Sequence, residues 1–104
     1  MRAIPKKLLN EMLSDPYYLV CARRNLDCNG RITFEHAFTY AQRQINEKWA
    51  IIPLCWNHHL GNKLDKNKNR LIALKRATKQ DLLKYQKVNW EQELKRLEAV
   101  DKST

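Results

Sequence analysis

Five residues in this sequence could carry metal chemistry: Cys21, Cys28, Cys55, His58 and His59. Cys21-x6-Cys28 and Cys55-x2-His58 form two candidate ligand pairs separated by 26 residues. Zn²⁺ takes four thiolate or imidazole ligands in a tetrahedron, and three Cys with one His is a common closed set. The alternative is three buried free thiols and a surface histidine pair, since cysteine is among the most buried residue types. Two spaced pairs, each beside a turn or a helix start, favour the metal. A second cluster overlaps the first, formed by Glu35-His36 and by His59 directly after His58. Neighbouring residues on a strand project to opposite sides. One of the pair Glu35-His36 can therefore hold a metal while the other works on a water. A histidine that titrates near neutrality suits that second task. Taken alone, the pair is a weak signal, since most such dipeptides are simply polar residues facing solvent.

The chain that must position these groups has 104 residues, a formal charge of +9, 43% apolar and 30% charged residues, and two glycines. This predicts one globular domain over residues 1–104 with a small core, to which a bound metal would contribute folding energy directly. Three cysteines is the wrong count for a closed disulfide framework, and Met1 to Lys7 lacks the apolar run of a signal peptide. A reducing, cytoplasmic setting is expected. No membrane span is expected, because the apolar stretch from Trp49 to Trp56 is short and broken by Pro53. The positive excess lies in the central segment and the C-terminal third, at +3 for residues 21–64 and +5 for 65–104. Such a balance favours phosphate backbones, with a merely solvated surface as the alternative.

The pattern predicts a short helix over about residues 6–13, closed before Pro16. Asn29-Gly30 is a strong turn signal and leads into a short strand over residues 32–36. Residues 37–48 read as a polar connection with a helical turn around 38–44. A second strand is predicted over 49–54, with Pro53 at an edge. A short helix over 56–63, a charged loop over 65–69 and one or two helical turns over 70–77 follow. Thr78-Lys79-Gln80-Asp81 resembles an N-cap opening a long helix to about residue 100. Leu83, Trp90, Leu94 and Leu97 fall on one face of that helix, which packs against the domain or against a second copy. Trp49, Trp56 and Trp90 are expected in the core.

The text Cys21-x6-Cys28-Asn29-Gly30-Arg31-Ile32-Thr33-Phe34-Glu35-His36, followed by Ile51-Ile52-Pro53-Leu54-Cys55-Trp56-Asn57-His58-His59, resembles the HNH endonucleases. In that family, also called the ββα-metal nucleases, one strand ends in an acid-His pair. A second strand leads to Leu-Cys-x-x-Cys-His on a helix, and here His58 replaces the second Cys. The similarity is closest to the small nucleases encoded by phages and prophages. It implies an α+β fold with a zinc-stabilised ββα-metal core over about residues 17–65. An N-terminal helix and a long C-terminal helical extension over about 69–100 would flank that core.

The resemblance also implies roles. Cys21, Cys28, Cys55 and His58 would hold a structural zinc. Glu35 and His59 would hold one catalytic divalent ion, Mg²⁺ or Mn²⁺, with Asn62 as a further ligand. His36 would be the general base that activates a water to attack a DNA phosphodiester, in phage DNA recombination, replication or processing. The family's middle Asn, which orients the base, aligns near Ala50, and Asn46 in the connecting segment is the best substitute. Arg24, Arg31, Arg43, Lys48 and Lys63 flank this site as candidate phosphate contacts, or are solvated surface charges. The rival readings are a non-catalytic zinc module that binds nucleic acid, and a phage interaction protein that docks through its C-terminal helix. A homodimer through residues 79–100 is the further partner the sequence suggests.

Overall fold

The computed structural model describes residues 4–62 and 64–102 of the chain. It is an α+β arrangement of short helices around a two-stranded antiparallel sheet, with a small separate hairpin. Helix α1 (Lys6–Leu13) begins directly after Pro5 and ends at Ser14, ahead of Asp15-Pro16. A 3-10 turn over Pro16–Leu19 follows, its first amide bonded to the Asp15 carboxylate at 2.9 Å.

Strand β1 (Ile32–His36) has the bounds the sequence predicts and pairs antiparallel with β4 (Ile51–Cys55). The register sets Ile32 opposite Cys55, Phe34 opposite Pro53 and His36 opposite Ile51. Proline lacks an N–H, so Pro53 must sit where β4 donates nothing to β1. The carbonyls on that same outer side of β4 are taken up within the chain. Pro53 O accepts from the Ala22 amide at 2.8 Å, and Ile51 O accepts from the Tyr18 hydroxyl at 2.9 Å. Every residue of β4 is buried.

The expected helical turn over residues 38–44 is instead a hairpin of β2 (Thr39–Tyr40) and β3 (Arg43–Gln44). Its two turn residues, Ala41 and Gln42, have φ of 51° and 66°. Positive φ at both central positions matches the right-handed twist of a two-residue hairpin. Trp49, expected to open the second strand, lies in a 3-10 turn over Lys48–Ala50.

Helix α2 (Trp56–His59) follows β4 without a break. Residues 65–69, expected as a loop, instead open helix α3 (Lys66–Arg76), because the Asp65 side chain accepts from the Lys68 amide at 3.1 Å and caps it. The predicted long helix over 79–100 is divided. Thr78 and Asp81 form a reciprocal capping box that starts α4 (Lys79–Leu82), which tightens into a 3-10 turn over Leu83–Tyr85. The chain then restarts as α5 (Trp90–Lys102), with Asn89 Oδ1 accepting from the Gln92 amide at 3.1 Å. Asn is a strong N-cap, and it wins over the continuous periodicity.

The main core gathers Trp49, Ile52, Leu54, Leu71, Ala73, Leu74 and Leu97, with Trp90 and Leu94 packed on it. Trp90 meets Trp49 and Phe38 edge-on at 5.9 and 5.4 Å. The apolar stripe of α5 therefore folds back on its own chain, and α3 is its main neighbour. Leu83, the fourth member of the predicted stripe, is exposed, and so is Trp56, expected in the core. A smaller cluster of Met12, Tyr18 and Ile51 packs α1 behind the sheet. Arg76 pins that region to α3, donating to the Tyr18 hydroxyl at 2.9 Å and stacking 3.8 Å over the Tyr17 ring.

Candidate functional site

Cys21, Cys28, Cys55 and His58 come together at one end of the β1–β4 pair, with their ligand atoms all within 4.8 Å of one another. His58 Nδ1 lies 3.1 Å from Cys55 Sγ, 3.5 Å from Cys21 Sγ and 3.7 Å from Cys28 Sγ. Tetrahedral zinc with bonds of about 2.3 Å to sulfur and 2.05 Å to nitrogen would separate N from S by about 3.6 Å. The four residues are thus positioned to bind a metal ion, and the donor set suits zinc. Cys21, Cys55 and His58 are buried, Cys28 is exposed, and all three cysteines are free thiols.

The sequence builds this knuckle locally. Gly30 has φ +89°, and a Cβ there would fall 2.6 Å from Cβ of Trp56. Only glycine accepts both conditions without displacing the helix start. The loop is laced to α2 by the Trp56 amide donating to Arg31 O at 2.9 Å and the Asn57 amide to Asn29 O at 3.1 Å. The Asn29 amide points at Cys55 Sγ, 3.4 Å away. Burial opposes ionisation of Cys55, yet the backbone N–H groups of Asn29 and His58, together with hydrogen bonds from the Cys21 and Cys28 thiols, hold it below its ordinary value. That arrangement favours the thiolate a metal needs.

At and beside the other end of β1 the second set of candidates meets in two pairs. His59 Nε2 lies 3.5 Å from Glu35 Oε1, both side chains being about four-fifths buried at 17% and 20% exposure. His59 Nδ1 lies 2.5 Å from Thr33 Oγ1, and the Thr33 hydroxyl donates to Leu54 O at 2.9 Å. With its single hydrogen committed to Leu54, Thr33 accepts from Nδ1–H of His59. A neutral His59 would then turn the lone pair of Nε2 on the Glu35 carboxylate. In that tautomer Nε2 and the Glu35 carboxylate offer two lone-pair donors 3.5 Å apart that one cation could share.

His36 Nε2 lies 2.7 Å from Asn46 Oδ1. An amide oxygen only accepts, so Nε2 carries the hydrogen and a neutral His36 keeps its free lone pair on Nδ1. The hairpin explains the meeting. Thr39 is opposite Gln44, the Ile45 amide donates to Phe38 O at 3.0 Å, and one further step along the register brings Asn46 back beside the end of β1. Glu35 and His36 line a common cavity of about 170 Å³ with residues of α3.

The remaining candidates are dispersed. Arg24, Arg31, Arg43 and Asn62 are exposed, while Lys48 is ion-paired to Asp15 at 2.9 Å. Lys63 lies outside the described residues. Sequence reasoning missed Thr33, whose signal was its spacing of two from Glu35 on one strand face. It also missed Asn69, a buried residue of α3 on the cavity wall, because residues 65–69 read as a loop. Among the described residues no helix is long and apolar enough to cross a membrane. No protein-family model matches the chain, and neither a curated protein nor a solved structure matches it.

Proposed function

We propose that this chain is a metal-dependent DNA endonuclease of the HNH, or ββα-metal, class, with a structural zinc at Cys21, Cys28, Cys55 and His58. The observation that carries the reading is the pairing of Glu35 with His59 and of His36 with Asn46 about one strand end. A module that only binds nucleic acid has no use for a half-buried acid facing an imidazole, or for a histidine whose tautomer is fixed by an amide. The net charge of +9 suits a polyanionic substrate.

Glu35 and His59 would hold a divalent ion, Mg²⁺ or Mn²⁺, through a carboxylate oxygen and Nε2. When bound, that ion supplies Lewis-acid polarisation of the scissile phosphate and stabilises the leaving oxygen. Thr33 fixes the His59 ring so that Nε2, not Nδ1, is the presented atom. Asn46 holds the proton on Nε2 of His36, so that Nδ1 accepts a proton from the attacking water. Products would carry 5′-phosphate and 3′-hydroxyl ends.

Plasmid nicking with Mg²⁺ or Mn²⁺, comparing wild type with His36→Ala, tests the reading. Loss of about 10²-fold or more of the rate is expected for removal of a general base. Unchanged cleavage by the variant removes His36 as base. A wild type that binds DNA but cleaves it with neither metal leaves the second reading, a zinc module that binds nucleic acid, which the charge and the Cys₃His cluster support equally.

A further inference from the structure

Asn69 is 1% exposed, yet among the described residues neither Nδ2 nor Oδ1 of its amide has a hydrogen-bond partner. A buried amide left without partners is unfavourable, so it draws a polar partner, water or ligand, to its side. Asn69 lines the cavity of about 170 Å³ that Glu35 and His36 also line. One water needs only about 15 Å³ of such space, so the cavity admits a larger occupant. Lys66 and Arg70, on the first turns of α3 and one helical turn apart, complete its wall. Among the described residues neither is ion-paired, and Arg70 Nε makes a long 3.4 Å contact to Ala37 O.

The charges on this wall decide the ligand class. Two cations face one carboxylate, Glu35, so an anion is favoured over a metal ion. The positive end of the α3 dipole adds to that preference. A tetrahedral oxyanion matches what is offered: a fork from Arg70, an ammonium from Lys66 and an N–H₂ donor from Asn69. We propose that this cavity is a phosphate site formed by Lys66, Asn69 and Arg70 that takes a backbone phosphate of the nucleic acid strand next to the scissile one. Its role in positioning substrate rests on the nuclease reading; its affinity for phosphate does not. Binding there would fix the strand so that the neighbouring phosphodiester faces His36.

The test is a titration of the full-length, zinc-loaded protein with inorganic phosphate at constant ionic strength, observed by ¹H–¹⁵N NMR of the side-chain amides and Arg Nε. Saturable displacement of the Asn69 N–H₂ and Arg70 Nε signals is expected. In K66Q/R70Q the affinity should fall about tenfold or more, and in Asn69→Asp, which keeps the shape and adds a negative charge, binding should vanish. His59→Ala, which touches Glu35 but none of the three phosphate-holding residues, should abolish cleavage and leave the Asn69 and Arg70 responses to phosphate in place. A response of Asn69 no stronger than that of exposed lysines overturns the site, and so does displacement by Mg²⁺ alone with none by phosphate. If wild type proves inactive as a nuclease, the phosphate titration still decides the site. If wild type cleaves, K66Q/R70Q should raise KM for DNA more than it lowers kcat, and the reverse would count against substrate positioning.

Discussion

Asn46 Oδ1 and His36 Nε2 lie 2.7 Å apart, and the link exists because a ten-residue excursion returns to the strand it left. The excursion is a hairpin, so the side chain that fixes the histidine tautomer depends on a turn with no chemistry of its own.

Replacing Asn46 by Ala should lower the cleavage rate about 10-fold to 100-fold while zinc content and fold are kept, because His36 remains but its tautomer and ring orientation are released. Asn46→Asp should retain the acceptor and recover part of the rate. The pH–rate profile separates positioning from a structural role: a merely structural Asn46 would leave its shape unchanged, whereas a positioning one shifts its acid limb.

The purified protein should contain one zinc per chain. Cys55→Ser or His58→Ala should lose it, and strong chelation should melt the β1–β4 region, because the free energy of structural zinc binding is folding free energy. Metal analysis with circular dichroism checks this. Less than about half an equivalent in freshly purified protein would sink the four-ligand site.

Ala41 and Gln42 hold φ of 51° and 66°, where a side chain costs about 1–2 kcal/mol per residue. Ala41→Asn with Gln42→Gly supplies the residues such a turn favours. The double variant should gain about 1 kcal/mol, read as about 4–8 °C in Tm, with cleavage unchanged or improved. A lower Tm would show that the turn is not under this strain.

Two half-buried carboxylates set an acid dependence. Lys48 bonded to Asp15 and Lys68 bonded to Asp101 hold both acids below their ordinary values. A depressed folded pKa means the contribution is complete above the unfolded value, near 3.9, and is lost as pH falls through the folded one. Urea midpoints for wild type and D15N/D101N should therefore differ at pH 6 and converge as pH falls through the depressed folded values. A constant difference throughout would exclude the linkage. Zinc loss at low pH affects both proteins alike, so the difference isolates the carboxylates.

Strong local signals were legible from the sequence. Pro16 closes the first helix, β-branched and aromatic alternation marks Ile32 to His36, and the Cys and His spacing finds its four partners. What the sequence hid were contests between signals. Leu83, Trp90, Leu94 and Leu97 keep a helical period straight through a real break, which the cap at Asn89 imposes. Ala41-Gln42 lacks the Asn-Gly wording of a hairpin turn, so strand pairing decides it against local preference. Lys66-Asn67-Lys68-Asn69 has a loop's polarity, yet one capping aspartate turns it into a helix and carries Asn69 inward. The Asn46 pairing was legible only as the nearest amide able to stand in for a family residue.

The outer side of β4 has a consequence for how copies of this chain meet. Edge strands are where proteins recruit one another, by adding a strand or by aggregating edge to edge. Here Pro53 brings no N–H, its carbonyl is held by Ala22, and the Ile51 carbonyl is held by Tyr18. A second backbone laid along β4 would find both of these carbonyls taken and no amide at Pro53. The strand that presents Cys55 to the metal site is thereby protected from templating an assembly, even though its pairing partner covers only one of its two sides.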